Sequence, residues 1–214
     1  MLHLKGSTSS SWLQTALSSL DRVVVDHAHC EHKAAVTALS FVSKYPDDPR
    51  LVTALSALAR DEAGHFTRVA ELCVERGLAL GHPEKDPYVE ALLGRCRNSS
   101  VLDGRVDRLL CCALIEGRSC ERLQLLAEAL PNIRGAPLGT GQVDDVVCAL
   151  YAELWREEAT HHTLFIELAE RTLQRAGSPC STKSASDRTR ARLEELSLWE
   201  GELLARLPVR AAIH

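Results

Sequence analysis

Four stretches of this chain carry apolar residues at three- and four-residue spacing for about 28 to 34 residues each, and Pro or Gly stops every one of them. The first is expected from about Ser11 to Lys44, with Ser11 as its cap and Tyr45-Pro46 as its stop. Its apolar stripe runs through Leu20, Val24, Ala28, Ala35 and Ala38. The second runs from about Pro49 to Arg76, with Gly77 just past its end. The third runs from about Leu102 to Leu130 and is ended by Pro131, and the fourth runs from about Val143 to Ala176 and is stopped by Gly177 and Pro179. Shorter helices are expected near Tyr88 to Arg97 and from about Asp187 to Leu207. Pro131 to Gly141 reads as a loop and residues 178–186 as a small-polar linker. No stretch alternates as a strand does. The pattern predicts an all-α protein, an antiparallel four-helix bundle with additional short helices. One domain is expected over 1–214, with its core bundle at about 11–177.

Composition narrows the function classes. The chain is 45% apolar and only 4% aromatic, which suits a helical core and excludes a disordered or collagen-like chain. No apolar run approaches the roughly 18 residues of a membrane span, and no leader pattern opens the sequence, so a soluble cytoplasmic protein is expected. A net charge of -4 argues against indiscriminate nucleic-acid binding. The eight cysteines form no C-x-x-C pair and are expected as reduced, mostly buried thiols.

Two E-x-x-H motifs stand out, Glu62 with His65 and Glu158 with His161. Residues three apart share a helix face, so both side chains of each pair can reach one ion. Eighteen Glu and nine His give roughly one such match by chance, so context must supply the weight. One motif falls on the second long helix and one on the fourth. The helix before each carries a Glu on its apolar side. On the first helix this is Glu31, in the middle of the apolar stripe, where a lone carboxylate is costly. On the third there are two candidates, Glu116 and Glu121. Glu31 precedes Glu62 by 31 residues and Glu116 precedes Glu158 by 42; removing the 11-residue loop leaves the same 31. The same subtraction from Glu121 leaves 26, so two similar hairpins favour Glu116.

Four Glu and two His from four helices match the ligand count of a ferritin-like di-iron carboxylate site. Four carboxylates balance two divalent ions, and carboxylate and imidazole donors suit iron or manganese. Asp61 and Glu157, each preceding a motif Glu, are candidates to accept the free ring N–H of His161 and His65 respectively. His27, His29, His32 and His162 read as core or surface histidines, because their spacing puts no complete donor set on one helix face.

The segments Asp26-His-Ala-His-Cys-Glu-His-Lys-Ala-Ala35, Arg60-Asp-Glu-Ala-Gly-His-Phe66, Leu114-Ile-Glu-Gly-Arg-Ser-Cys-Glu-Arg122 and Glu158-Ala-Thr-His161 together resemble the tRNA hydroxylase family known as MiaE, over about residues 12–175. The resemblance implies a ferritin-like fold and a non-haem di-iron monooxygenase. Such an enzyme hydroxylates the isopentenyl group of 2-methylthio-N6-isopentenyladenosine beside the tRNA anticodon, using dioxygen. It implies two iron ions held by Glu31, Glu62, His65, Glu116, Glu158 and His161, and no further catalytic residue. The anticodon stem-loop of tRNA is the implied macromolecular partner. No flavin, nicotinamide or iron–sulfur motif is present, so a separate reductase or ferredoxin is expected to supply electrons. The Gly/Pro loop and the segment after Gly177 depart from the family's pattern. Small residues of the third helix (Ala113, Gly117, Ser119, Cys120) are candidates to leave room for a prenyl chain. Arg95, Arg97, Arg105 and Arg108, or Arg188, Arg190 and Arg192, are candidates to meet phosphates. The alternatives are a ferritin- or rubrerythrin-like di-iron oxidase and a small-molecule hydroxylase; the lack of C-x-x-C pairs weighs against rubrerythrin.

Overall fold

The computed structural model describes residues 3–177 and 184–214; the expected linker and the Pro179 stop lie largely outside them. Helices are α1 (Ser10–Ser18), α2 (Leu20–Lys44), α3 (Pro49–Glu75), α4 (Pro87–Leu93), α5 (Val101–Ala129), α6 (Asp145–Glu158), α7 (His161–Arg175) and α8 (Ala185–Arg206). No described helix is long and apolar enough to cross a membrane. Helix starts follow capping chemistry. Asp48 accepts from Leu51 N with Pro49 in the first turn of α3, Ser100 accepts from Asp103 N at α5, and Asp144 accepts from Val146 N and Val147 N at α6. At the end of α3, Gly77 has φ +65°. Leu78 N–H reaches Cys73 O (2.8 Å) and Gly77 N–H reaches Val74 O (3.1 Å), closing the last carbonyls as a Schellman motif.

Helices α2 and α3 form one hairpin and α5 packs on α6 and α7 as the other, so the bundle has four helical columns. Three details depart from expectation. The first long helix breaks at Ser19 (φ -139°, ψ 46°), where Ser18 Oγ bonds Thr15 O (2.9 Å) and competes with the helix ladder. The fourth long helix breaks at Ala159–Thr160, between the two members of the second E-x-x-H motif. The 131–141 loop holds a 3₁₀ turn (Leu130–Ile133) and two short antiparallel strands, β1 (Pro137–Leu138) and β2 (Gly141–Gln142). Thr140 N–H docks this hairpin on Arg76 O (2.7 Å).

Two apolar clusters fill the bundle. One gathers Leu51, Leu55, Leu58, Val106, Leu109, Leu110 and Phe165; the other gathers Val23, Val24, Val69, Leu72, Leu123, Leu126, Val147 and Tyr151. In all four columns the expected ligand positions fall between these clusters. The polar level of the bundle is thus sealed above and below by close-packed side chains.

Helix α8 closes over α5 through a buried ion pair. Arg118, fully buried, donates to both oxygens of fully buried Glu200 (2.9 and 3.0 Å) and to Gly6 O (2.7 Å). Tyr88 OH donates to the same Glu200 (2.9 Å). A second buried acid, Asp107, is held by Arg97 (2.7 Å) and Arg192 (2.8 Å). The seven described cysteines among the eight are free thiols. Breaking a buried pair by removing one partner leaves an uncompensated charge, which costs about 3–5 kcal/mol. Arg118→Met is expected to lower the unfolding free energy of the metal-free protein by about that amount in urea titration. Arg118→Met/Glu200→Met should recover part of the loss; a single variant as stable as the parent would refute the role.

Candidate metal centre

Glu31 from α2, Glu62 and His65 from α3, Glu116 from α5, Glu158 at the end of α6 and His161 at the start of α7 converge at one level of the bundle. All six are buried. They form two overlapping groups of potential donors. Glu31, Glu62, His65 and Glu158 make one, and Glu62, Glu116, Glu158 and His161 the other; within each, the donor atoms lie within 4.8 Å of one another. Glu62 and Glu158 belong to both. Each half therefore has one carboxylate and one imidazole of its own and two carboxylates in common.

Both histidines point Nδ1 inward. His65 Nδ1 lies 2.6 Å from Glu158 Oε1, and His161 Nδ1 lies 2.7 Å from Glu158 Oε2 and 2.9 Å from Glu62 Oε1. Yet Glu62 Oε1, His65 Nδ1 and Glu158 Oε1 are buried without an aligned hydrogen bond. The donors converge more closely than they pair, the arrangement a central cation resolves. Thiols are not part of the set: burial pushes Cys30 and Cys120 upward, Cys120 to about 11, so both stay protonated.

The electrostatics follow from crowding. Burial, then the charge of Glu158, raises Glu31 well above the usual carboxylate range; burial and the charge of Glu62 do the same to Glu116. Burial also disfavours charged Glu62, but the close approach of His161 and His65 outweighs it and holds this carboxyl at about 2. Burial opposes protonation of His65 and His161, but the close approach of Glu158 prevails and lifts them to about 12 and about 11.

The outward contacts differ between halves. His65 Nε2 meets Glu157 Oε2 (2.9 Å), as the sequence suggested, and Arg68, which it did not single out, holds Glu157 from the other side (2.8 Å). Asp61 does not reach His161 and instead takes Arg60 (2.9 Å). Glu121, the other candidate on α5, points away from the centre and pairs with Arg118 and Thr8. His27 was not anticipated. It sits one turn before Glu31 and touches Glu31 Oε1 through Nε2 (2.6 Å), with Tyr151 OH 3.4 Å from its Nδ1. Burial lowers His27 to about 4, so the ring beside Glu31 is neutral. The i, i+4 spacing was the available signal. His29 bonds Leu80 O (2.9 Å) and His32 packs on Phe66.

A cavity of about 350 Å³ reaches the centre from the side of α2 and α5. All four carboxylates line it and neither histidine does; Ala34, Val89, Leu93, Ile115 and Phe165 make up much of the apolar wall. Of the small residues on α5 singled out above, only Ser119 lines it; Ala113, Gly117 and Cys120 are buried elsewhere along α5. Among the candidate phosphate contacts, Arg97 and Arg192 are spent on Asp107 and Arg105 on Asp48, while Arg108 lines the cavity.

Metal loading at this centre must displace protons from His65 and His161, which their surroundings hold protonated at neutral pH, and it works against the upward shift of Glu31 and Glu116. Calorimetric titration of the metal-free protein with Mn²⁺ in two buffers of different ionisation enthalpy should therefore show net proton release at pH 7, with affinity falling as pH falls. Binding without proton release would contradict this electrostatic account.

Comparison with known proteins places this geometry. The family described as tRNA-(MS[2]IO[6]A)-hydroxylase (MiaE) matches residues 1–214. A Pseudomonas putida protein named tRNA 2-(methylsulfanyl)-N(6)-isopentenyladenosine(37) hydroxylase is 33% identical over 162 residues, covering 76% of this chain and 72% of the relative. A Salmonella typhimurium protein of the same name is 26% identical over 212 residues, covering 76% and 73%. A solved structure, "Protein 43 with aldehyde deformylating oxygenase activity from Synechococcus", superposes with a TM-score of 0.79 at 34% identity, over 99% of this chain and 94% of that one. The fold is thus shared with that oxygenase, and the chain belongs to the MiaE family of tRNA hydroxylases.

Proposed function

We propose that this chain, working as one catalytic domain, hydroxylates the isopentenyl group of 2-methylthio-N6-isopentenyladenosine in tRNA. Dioxygen is the oxidant and a separate reductase or ferredoxin supplies electrons; the tRNA substrate implies a cytoplasmic location. The reading rests above all on one observation: two donor groups sharing Glu62 and Glu158 stand at the inner end of an apolar-walled cavity. Glu31, Glu62, His65 and Glu158 would hold one iron ion and Glu62, Glu116, Glu158 and His161 a second. Bound there, the irons would supply the redox chemistry that reduces dioxygen.

The protein does the rest. Its apolar wall takes the prenyl chain and excludes water from the reacting end. At the low end of small-ligand pocket volumes, the cavity suits a branched five-carbon group with the base left near its mouth. Lys33, Lys85 and Arg108 line the same cavity and offer positive charge to an RNA backbone. His27 holds Glu31, and the Arg68–Glu157 pair fixes the ring of His65.

The name of the Synechococcus protein gives a small-molecule reading its own support, because that likeness spans almost the whole chain. Anaerobic iron loading of wild type, Glu116→Ala and Glu121→Ala separates the possibilities. Close to two irons per wild-type chain are expected, with loss in Glu116→Ala and retention in Glu121→Ala. Incubation with tRNA carrying the modified adenosine, dioxygen and a reductant should add one oxygen atom to that nucleoside by mass spectrometry. Conversion of an aldehyde with no change in the tRNA would favour the second reading; iron lost with Glu121→Ala alone would correct the ligand.

A further inference from the structure

The turn that follows α4 is pinned on both sides of Cys96. Cys96 N–H donates to Leu93 O (3.1 Å), and Arg97 N–H donates to Oδ2 of the fully buried Asp107 (2.8 Å). Asp107 is held in turn by the guanidinium groups of Arg97 and Arg192. Cys111 stands four residues beyond Asp107, on the same face of α5. The buried ion pair thereby sets the register of the turn against α5, and Cys96 Sγ meets Cys111 Sγ at 3.7 Å. Among the described cysteines no other two sulfurs are in such contact. The two thiols differ in access. Cys111 is fully buried, with its Sγ 3.5 Å from Leu92 O. Cys96 is half-buried, between the exposed residues Arg95 and Arg97.

We propose that Cys96 and Cys111 form a reversible oxidation site, which hydrogen peroxide closes into a disulfide. Cys96 is the sulfur that peroxide reaches. Its thiolate attacks one peroxide oxygen and the O–O bond breaks, giving a sulfenic acid on Cys96 and hydroxide. The hydroxide takes up the proton that Cys96 released and leaves as water. The Cys111 sulfur then attacks the Cys96 sulfur. The sulfenic hydroxyl departs with the Cys111 proton as a second water, and the S–S bond closes. The two sulfurs lose two electrons and the two peroxide oxygens gain them. A dithiol reductant reopens the bridge by attack at the accessible Cys96 sulfur.

The electrostatics divide the roles in the same way. The contact with Cys111 draws Cys96 below its ordinary value, whereas that contact and burial push Cys111 above its own. Burial raises Cys30, Cys73, Cys112 and Cys120 and keeps them as unreactive thiols. The bridge also has a place in the architecture. Val89 and Leu93 of α4 and Cys112 and Ile115 of α5 line the same cavity, so oxidation ties two of its walls together. It restrains α4, a helix of seven residues, whatever substrate the cavity takes.

The test uses the full chain, freed of metal by a chelator, treated with hydrogen peroxide in small excess and quenched by alkylation. Peptide mass spectrometry is expected to show residues 96 and 111 joined with the loss of two hydrogens. The other five described cysteines should still be thiols at that point, and dithiothreitol should restore the pair. In Cys111→Ser the reaction should stop at a sulfenic acid on Cys96, trapped by dimedone. Amide hydrogen exchange over residues 90–96 should slow roughly tenfold in the bridged wild type relative to the reduced protein. Four results would each overturn the proposal: oxidation of one of those five cysteines ahead of Cys96, a bridge from Cys96 to a second chain, Cys96 carried on to sulfinic acid while Cys111 stays a thiol, or unchanged exchange in α4 of the bridged protein. The wild-type peptide map decides the matter even where Cys111→Ser fails to fold.

Discussion

Four carboxylates buried at one level of a helical bundle are the constraint on which the rest of this structure depends. Each would be costly alone, and together they repel. The chain meets this locally by interleaving two imidazoles and globally by placing a close-packed apolar cluster on each side. The long helices follow from that need. A column must be long enough to carry apolar turns both above and below its ligand turn. The low aromatic content fits the same plan, because Leu, Val and Ala fill most of the two layers, with a few buried aromatics such as Phe165 and Tyr151 among them.

Much of this was legible in the sequence because it is periodic. The helical stripes, the stops at Gly77 and Pro131, and the two E-x-x-H motifs all depend on residues near one another along the chain. Register also favoured Glu116 over Glu121 as the candidate on α5. The structure brings Glu116 into the donor cluster and gives Glu121 to Arg118 and Thr8. What was not legible is what crosses between elements. Asp61 and Glu157 occupy equivalent places in their motifs, yet only Glu157 faces a histidine, because Arg60 takes Asp61. Arg97, Arg105 and Arg192 look like free cations in sequence and are bound to buried acids. Nothing local announces that His214 returns to the bundle to line the cavity. The break at Ala159–Thr160 likewise has no Pro or Gly to mark it.

The segments outside the four columns are not decoration. Arg118, buried on α5, ties the N-terminal segment through Gly6 and helix α8 through Glu200, and Tyr88 of α4 shares that glutamate. Arg122, one turn further, holds residue 213. The face of α5 turned away from the carboxylates is therefore the anchor for the N-terminal segment, α8 and residue 213 alike. Neighbouring turns of one helix serve the metal level and the outer layer.

The cavity meets the centre on one side only, past the four carboxylates, with both histidines behind them. That one-sidedness bears on selectivity. A prenyl terminus carries two methyl groups that differ only in their geometry across a double bond, and a centre open on all sides would treat them nearly alike. Under the hydroxylase reading, a prenyl chain that enters by this cavity comes in along the carboxylate side, in one orientation. One methyl then lies nearer the centre than its twin. Under the hydroxylase reading, the product's double-bond geometry is decided by the shape of the wall around Ile115 and Phe165 rather than by the intrinsic reactivity of the two carbons.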